Sequence, residues 1–323
     1  MRLIKEFFKI ERKPRKGLWA VEWVTMGYLL LTTLVLLFTY TKLVNPAPML
    51  WGRFHIIMVT LAMWLVYRLI PCRFTLFCRI AAQLMILPWW YPDTYELNRI
   101  FLNLDHLFAG YDQSMFGYQP ALLFSQTITH PVFSELIHLG YFSYFPMIFL
   151  VVLFAFFFRY KEFERTTFII LTSFFIYYII FVFLPVTGPQ YYYQAVGLEN
   201  IAAGVFPDVG HYFLDHQEPL PMPGWSDGFF YHMVENAHAA GERPTAAFPS
   251  SHIGITTILL FLAWHLRNRW LFWGMVPLYI LMCMATVYIQ AHYVVDVFGG
   301  WVSAVIIYMV LHFLWGKICA IKK

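Results

Sequence analysis

Long apolar runs, each closed by a short polar stretch, recur along the 323 residues of this chain. Eight approach the ~20 residues that a helix needs to cross a bilayer, near 19–41, 54–71, 74–92, 135–158, 167–186, 251–266, 270–290 and 292–315. The third contains Arg79 and Gln83. The sixth, about 24 Å long as a helix, needs an extra turn from its flanks. Two stretches read differently. Residues 93–134 mix apolar positions with Asp105, His106, Asp112 and His130 around Gly110, Gly117 and Pro120, which predicts amphipathic helices in the interface. Residues 187–249 are rich in Pro, Gly, His and acid without a run able to cross, and read as a long extracytoplasmic loop. The expected fold class is all-α: a polytopic integral-membrane helical bundle of about eight transmembrane helices.

Composition agrees with that pattern. Only 12% of residues are charged and 60% are hydrophobic, against about 25% charged in soluble domains. A water-soluble class is therefore excluded. The net charge of +4 says little about nucleic acid, because the basic residues follow a topological pattern, and no nucleic-acid partner is expected. Arg2, Lys5, Lys9, Arg12, Lys13, Arg15 and Lys16 precede the first run. The pairs Arg68/Arg73 and Arg267/Arg269, the group Arg159/Lys161/Arg165 and the tail Lys317/Lys322/Lys323 fall on the same side by alternation. The positive-inside rule then places both termini in the cytoplasm. The first run exceeds the ~7–15 residues of a signal-peptide core and no small-x-small site closes it, so it reads as a retained anchor. None of the four cysteines (Cys72, Cys78, Cys283, Cys319) lies in the outer loop, which argues against a disulfide framework.

Chemistry concentrates in two short segments. Phe248-Pro249-Ser250-Ser251-His252 opens the sixth run, and His292-Tyr293-Val294-Val295-Asp296 opens the eighth. The same alternation puts both histidines at one depth, on the extracytoplasmic side. On a helix, positions four apart share a face, so Asp296 can accept a hydrogen bond from one ring nitrogen of His292 and leave the other free to attack. His252 suits a general acid. Ser250 and Ser251 stand where a helix begins, so their hydroxyls and the first-turn amides suit phosphate oxygens. Taken singly these features are ordinary: an interfacial histidine, a cap, a local hydrogen bond. Their convergence is not.

The first segment resembles the second motif of the type 2 phosphatidic acid phosphatase superfamily, usually Pro-Ser-Gly-His. The second segment resembles the end of its third motif. The resemblance covers roughly residues 100–315 and implies a membrane enzyme acting on lipid phosphoesters without a metal or other cofactor. It implies that His292 is the nucleophile forming a phosphohistidine, His252 the general acid and Asp296 the group that orients His292. Residues 1–18 are then a basic cytoplasmic segment, 19–95 the N-terminal spans, 96–316 the catalytic membrane domain and 317–323 a tail.

The departures are specific. Ala285 and Thr286 stand where the third motif has Ser-Arg, and Asn236 stands where the first motif has lysine, although Arg243-Pro244 resembles that motif's end. Two phosphate-binding cations are thus missing or moved. This pattern resembles the branch of inositol phosphorylceramide synthases, in which a Pro-rich turn like Leu184–Tyr192 closes the fifth span. It makes Gln190 and Tyr191 candidate ligands of phosphate or headgroup. Arg243, the only Lys or Arg in 187–249, is the candidate replacement for the absent arginine. Asp208, His211, Asp215, His216, His232, Glu235 and His238 match no metal signature, so no metal is expected. The expected partner is a phospholipid or sphingolipid in the bilayer. Hydrolysis is the first expectation and transfer to a lipid hydroxyl the second. A transporter is remote, since the chain lacks paired broken helices in two halves.

Overall fold

A computed structural model describes residues 6–321, so Arg2, Lys5, Lys322 and Lys323 lie outside the described residues. Among the described residues the regular structure is entirely helical. The first helix, α1 (Ala20–Phe38), starts where the Glu22 carboxylate accepts the Trp19 amide at 2.7 Å. A long helix, α2 (Pro46–Leu69), begins with proline, whose missing N–H costs nothing in a first turn. Then come α3 (Arg73–Met85) and α4 (Leu87–Asn98), which together cover the third apolar run. Three short helices follow: α5 (Asp105–Phe116), α6 (Pro120–Thr127) and α7 (Pro131–Phe142). The next two, α8 (Tyr144–Phe158) and α9 (Tyr160–Phe183), are strongly apolar.

Five helices are long and apolar enough to cross a membrane: α1, α2, α9 and the two later ones, α14 (Arg269–Tyr288) and α15 (Val294–Ile321). A sixth arises if α7 and α8 form one span bent by 45°. Pro146, third in α8, cannot bond back to Phe142, so the helix breaks there. Among the described residues the expected count of eight is therefore not confirmed. The run at 251–266 is an apolar helix, α13 (Ser251–His265), of 15 residues. The third run splits at Ile86 into α3 and α4, close to Pro88 and Pro92.

The sequence marked Arg79 as a flaw in that run. Its guanidinium is fully buried and paired with the equally buried Glu22, Nη2 lying 2.6 Å from Oε2. A second buried pair ties α2 to α4, with Arg53 forking onto Asp93 at 2.6 and 2.8 Å. A charge that cannot reach water must be met by its opposite, and both pairs obey this.

In α9, 72% of the apolar window is buried inside the protein, against 22–33% for the other long helices. It is the central post, touching α1, α4, α8, α13 and α15. The outer helices expose Phe38, Leu69, Met85, Phe158, Trp270 and Phe313, a surface suited to hydrocarbon. Close approach of α13 and α15 depends on Gly300, where a Cβ would stand 2.7 Å from the Ser250 carbonyl oxygen.

The stretch expected as a loop, 187–249, is partly helical. It contains α10 (Pro189–Val196), α11 (Leu198–Ala202) and α12 (Phe229–Gly241), the last packed on α7. Amphipathic α12 covers its apolar side without needing a run long enough to span.

Candidate active site

The two histidines meet. His252 occupies the second position of α13, and His292 lies in the turn between α14 and α15, held by its amide on the Thr286 carbonyl at 2.9 Å. His252 Nδ1 is 3.3 Å from His292 Nε2. The other nitrogen of His292, Nδ1, is 2.8 Å from the Ala247 carbonyl oxygen. A carbonyl only accepts, so Nδ1 carries the proton and Nε2 presents a lone pair. His252 Nδ1 must then be the donor of the pair. Burial pushes the His292 pKa down to about 4, with the Ala247 bond opposing, so its imidazole is neutral near pH 7. The His252 ring lies against Tyr141 and Tyr144, with centroids 4.7 and 4.6 Å away.

Asp296 does not sit as the spacing predicts. Its Oδ2 is 3.6 Å from His292 Nδ1, outside hydrogen-bond range, and instead accepts the Tyr293 amide at 2.9 Å. The reason is local. Helix α15 begins at Val294, so His292 precedes it and the four-residue helical offset does not apply. Asp296 is the third residue of α15, where a carboxylate naturally reaches back to the cap amide.

Beneath these residues lie two carboxylates whose role the sequence hid. Asp112 on α5 accepts from Val294 N at 2.8 Å and Val295 N at 2.9 Å, capping α15 from another element. Asp105 accepts from Thr187 N (2.6 Å), Thr187 Oγ1 (2.9 Å), Gly188 N (2.8 Å), Asn103 Nδ2 (2.6 Å) and Tyr293 Oη (3.0 Å). Burial raises both pKa values, and the donated protons oppose that rise. Asp105 therefore ties the turn after α9 to the residue that follows His292. The same turn is sealed by Ala247 N donating to Val186 O at 3.0 Å, and α13 is fixed to α15 by Ser250 N on the Asp296 carbonyl at 3.0 Å.

The remaining candidates spread out. Ser250 is buried, its Oγ accepting the Ile253 amide at 3.4 Å as a helix cap, and Ser251 is half-buried at the start of α13. Gln190 is buried, with its amide on the Gln290 carbonyl at 2.8 Å. Tyr191 is buried against Phe213. Arg243 is exposed, and its Nη1 donates to the Glu242 carbonyl at 3.1 Å. Among the described residues, no lysine or arginine bonds either histidine. Ala285 and Thr286, standing where the family motif has Ser-Arg, are fully buried. Also among the described residues, no group of three or more His, Cys, Asp or Glu is arranged to hold a metal ion.

The family model described as the PAP2 superfamily matches residues 108–310, a stretch that takes in both histidines and Asp296. The chain belongs to the PAP2 superfamily, whose members are phosphatases and phosphotransferases. No curated protein and no solved structure matches it.

Proposed function

We propose that this protein cleaves a lipid phosphoester through a phosphohistidine on His292. The observation that carries the reading is the pairing of a His292 Nε2 lone pair, fixed by the Ala247 carbonyl, with a proton on His252 Nδ1 across 3.3 Å. An entering phosphate anion draws a proton onto His252. His292 Nε2 then bonds to phosphorus as the lipid P–O bond breaks, and His252 protonates the departing oxygen. Water next attacks phosphorus, returning a proton to His252, and the N–P bond breaks to free His292. Asp296, close to Nδ1 and buried, offsets the positive charge that the imidazole acquires in the intermediate. Serine hydroxyls and amides at the start of α13 hold phosphate oxygens.

In this reading the enzyme is a multi-pass membrane protein. Its termini are cytoplasmic, its histidines extracytoplasmic, and its substrate a phospholipid or sphingolipid. Transfer to a lipid hydroxyl instead of water is the second reading. It is favoured by the burial of His292 and by the tyrosines packed against His252, both of which keep water from the phosphorus.

Purified enzyme given phospholipids, with and without a lipid alcohol, tests this by mass spectrometry. The expected result is product formation that His292→Ala abolishes, with a ³²P-labelled substrate leaving acid-labile, base-stable label on the protein. A new phospholipid formed only with the alcohol selects transfer. Undiminished turnover by His292→Ala rejects the mechanism.

A further inference from the structure

Among the described residues no lysine or arginine bonds either histidine, and the rings packed against His252 include two tyrosines. Tyr141, whose ring covers His252 at 4.7 Å, has His238 on it at 5.5 Å. Nε2 of His238 is buried and has no hydrogen-bond partner. Four residues after His238, capping the end of α12, is Glu242, whose amide donates to the His238 carbonyl at 2.8 Å and whose Oε1 accepts from the Tyr91 hydroxyl at 3.3 Å. The Glu242 charge acts on the phenols of Tyr91, Tyr141 and Tyr191. The Tyr91 hydroxyl also lies 3.4 Å from the Arg243 carbonyl oxygen, while the Arg243 side chain is exposed to solvent.

The electrostatics of this corner are therefore negative. A 13-residue helix points its C-terminal, partially negative end here, and Glu242 adds a full charge at that end. The Tyr91 hydroxyl donates to that carboxylate, and the Tyr141 ring lies beside His238 on the same helix. A phosphomonoester, which brings two negative charges and nothing positive, is poorly matched to such surroundings. A cation is well matched: ammonium groups bind over aromatic faces, more strongly beside a carboxylate.

Building on the phosphohistidine reading, we propose that Tyr91, Tyr141, Tyr191, His238 and Glu242 form a headgroup subsite, and that the substrate is a phosphodiester lipid whose headgroup ends in an ammonium. Phosphorus lies at the histidine pair and the ammonium lies among the tyrosines, against Glu242. His238 Nε2 is placed to meet a polar atom of the same headgroup. An inositol headgroup, uncharged and rich in hydroxyls, makes no use of this charge.

The test is kcat/KM of the purified full-length chain in detergent–lipid micelles with four lipids: phosphatidylethanolamine, phosphatidylcholine, phosphatidylinositol and phosphatidic acid. At least one ammonium lipid is expected to exceed the other two by about tenfold or more. In Glu242→Gln the ratio of ammonium-lipid to phosphatidylinositol turnover is expected to fall by about tenfold. A preference for phosphatidic acid or phosphatidylinositol overturns the proposal, as does turnover of neither ammonium lipid or a ratio unchanged in Glu242→Gln. His292→Ala separates the two levels. If it abolishes turnover of whichever lipid is preferred, the phosphohistidine reading stands even where the headgroup assignment fails.

Discussion

Asp112 caps Val294 from a helix 182 positions earlier in the chain, its Oδ2 taking the Val294 amide at 2.8 Å. The two orphan amides at the start of α15, which a helix N-terminus would otherwise offer to an anion, are thus already engaged. The helix that carries Asp296 is consequently seated before any substrate arrives.

Replacing this cap should move both stability and activity. Asp112→Ala is expected to lose about 1–2 kcal/mol and to lower kcat/KM, because the start of α15 and the turn holding His292 shift together. Asp112→Asn, which can still accept one amide, is expected to retain most of both. Thermal unfolding and kinetics on the two variants check this; equal losses in Ala and Asn would mean that the negative charge matters more than the cap.

The Ala247 carbonyl, being closer to His292 Nδ1 than Asp296 is, limits what Asp296 contributes. Where a carboxylate alone sets the tautomer of a catalytic histidine, its amide variant costs about 10⁴ in kcat. Here the carbonyl holds the tautomer in either case. Asp296→Asn is expected to lower kcat only about 10- to 100-fold, while leaving KM nearly unchanged. Steady-state kinetics decide it, and a loss near 10⁴ would restore Asp296 as the principal orienting group.

The depressed pKa of His292 has a consequence for acid tolerance. Nucleophilic attack requires the neutral ring, so the acid limb of kcat/KM should fall near pH 4, where His292 takes up its proton, and not near the ordinary 6.5. Stability follows the same sign. An unfolded chain binds this proton first, so the contribution is complete above pH 6.5 and declines as pH falls toward 4. A pH–rate profile between 3.5 and 8 measures the limb directly; an inflection at 6.5 would mean that the buried environment is not retained in the working enzyme.

Gly188 offers a backbone test. Its φ of +94° is unfavourable for other residues, and a Cβ there would stand 2.5 Å from the Ala291 carbonyl oxygen, next to His292. Gly188→Ala is expected to cost about 1–3 kcal/mol and to depress kcat well beyond what its stability loss explains. Wild-type kinetics in this variant would show that the turn at 187–188 does not govern the position of His292.

The parts visible from sequence were those written in side-chain type and spacing. The apolar runs announced most of the helices, and the two histidine segments announced a site that folding does bring together. What stayed hidden depends on partners far apart. Arg79 looked like a flaw because Glu22 lies 57 positions away, and Asp105 looked like an interfacial acid because the donors from Thr187, Gly188 and Tyr293 lie 82 to 188 positions away. The Ala247 carbonyl was invisible for a different reason: backbone groups carry no signature in sequence. The count of eight spans is not confirmed because a 15-residue helix and a proline-broken pair fill places where longer runs seemed continuous.

The bond between Ala247 N and Val186 O closes the base of everything from 187 to 246. That segment leaves the bundle and returns to the same point, so its ends are fixed whatever lies between. The turn from Thr187 to Gln190 braces the His292 turn through Asp105 and the Gln290 carbonyl, but the stretch beyond it is an exchangeable cassette: lengthening that stretch or grafting one from a relative should leave Ala247, and with it His292, in register. On the headgroup proposal, the reaction and the choice of substrate are then carried by separable parts of the chain. The bundle keeps the histidines, while Tyr191, His238 and Glu242 travel with the cassette and are free to diverge.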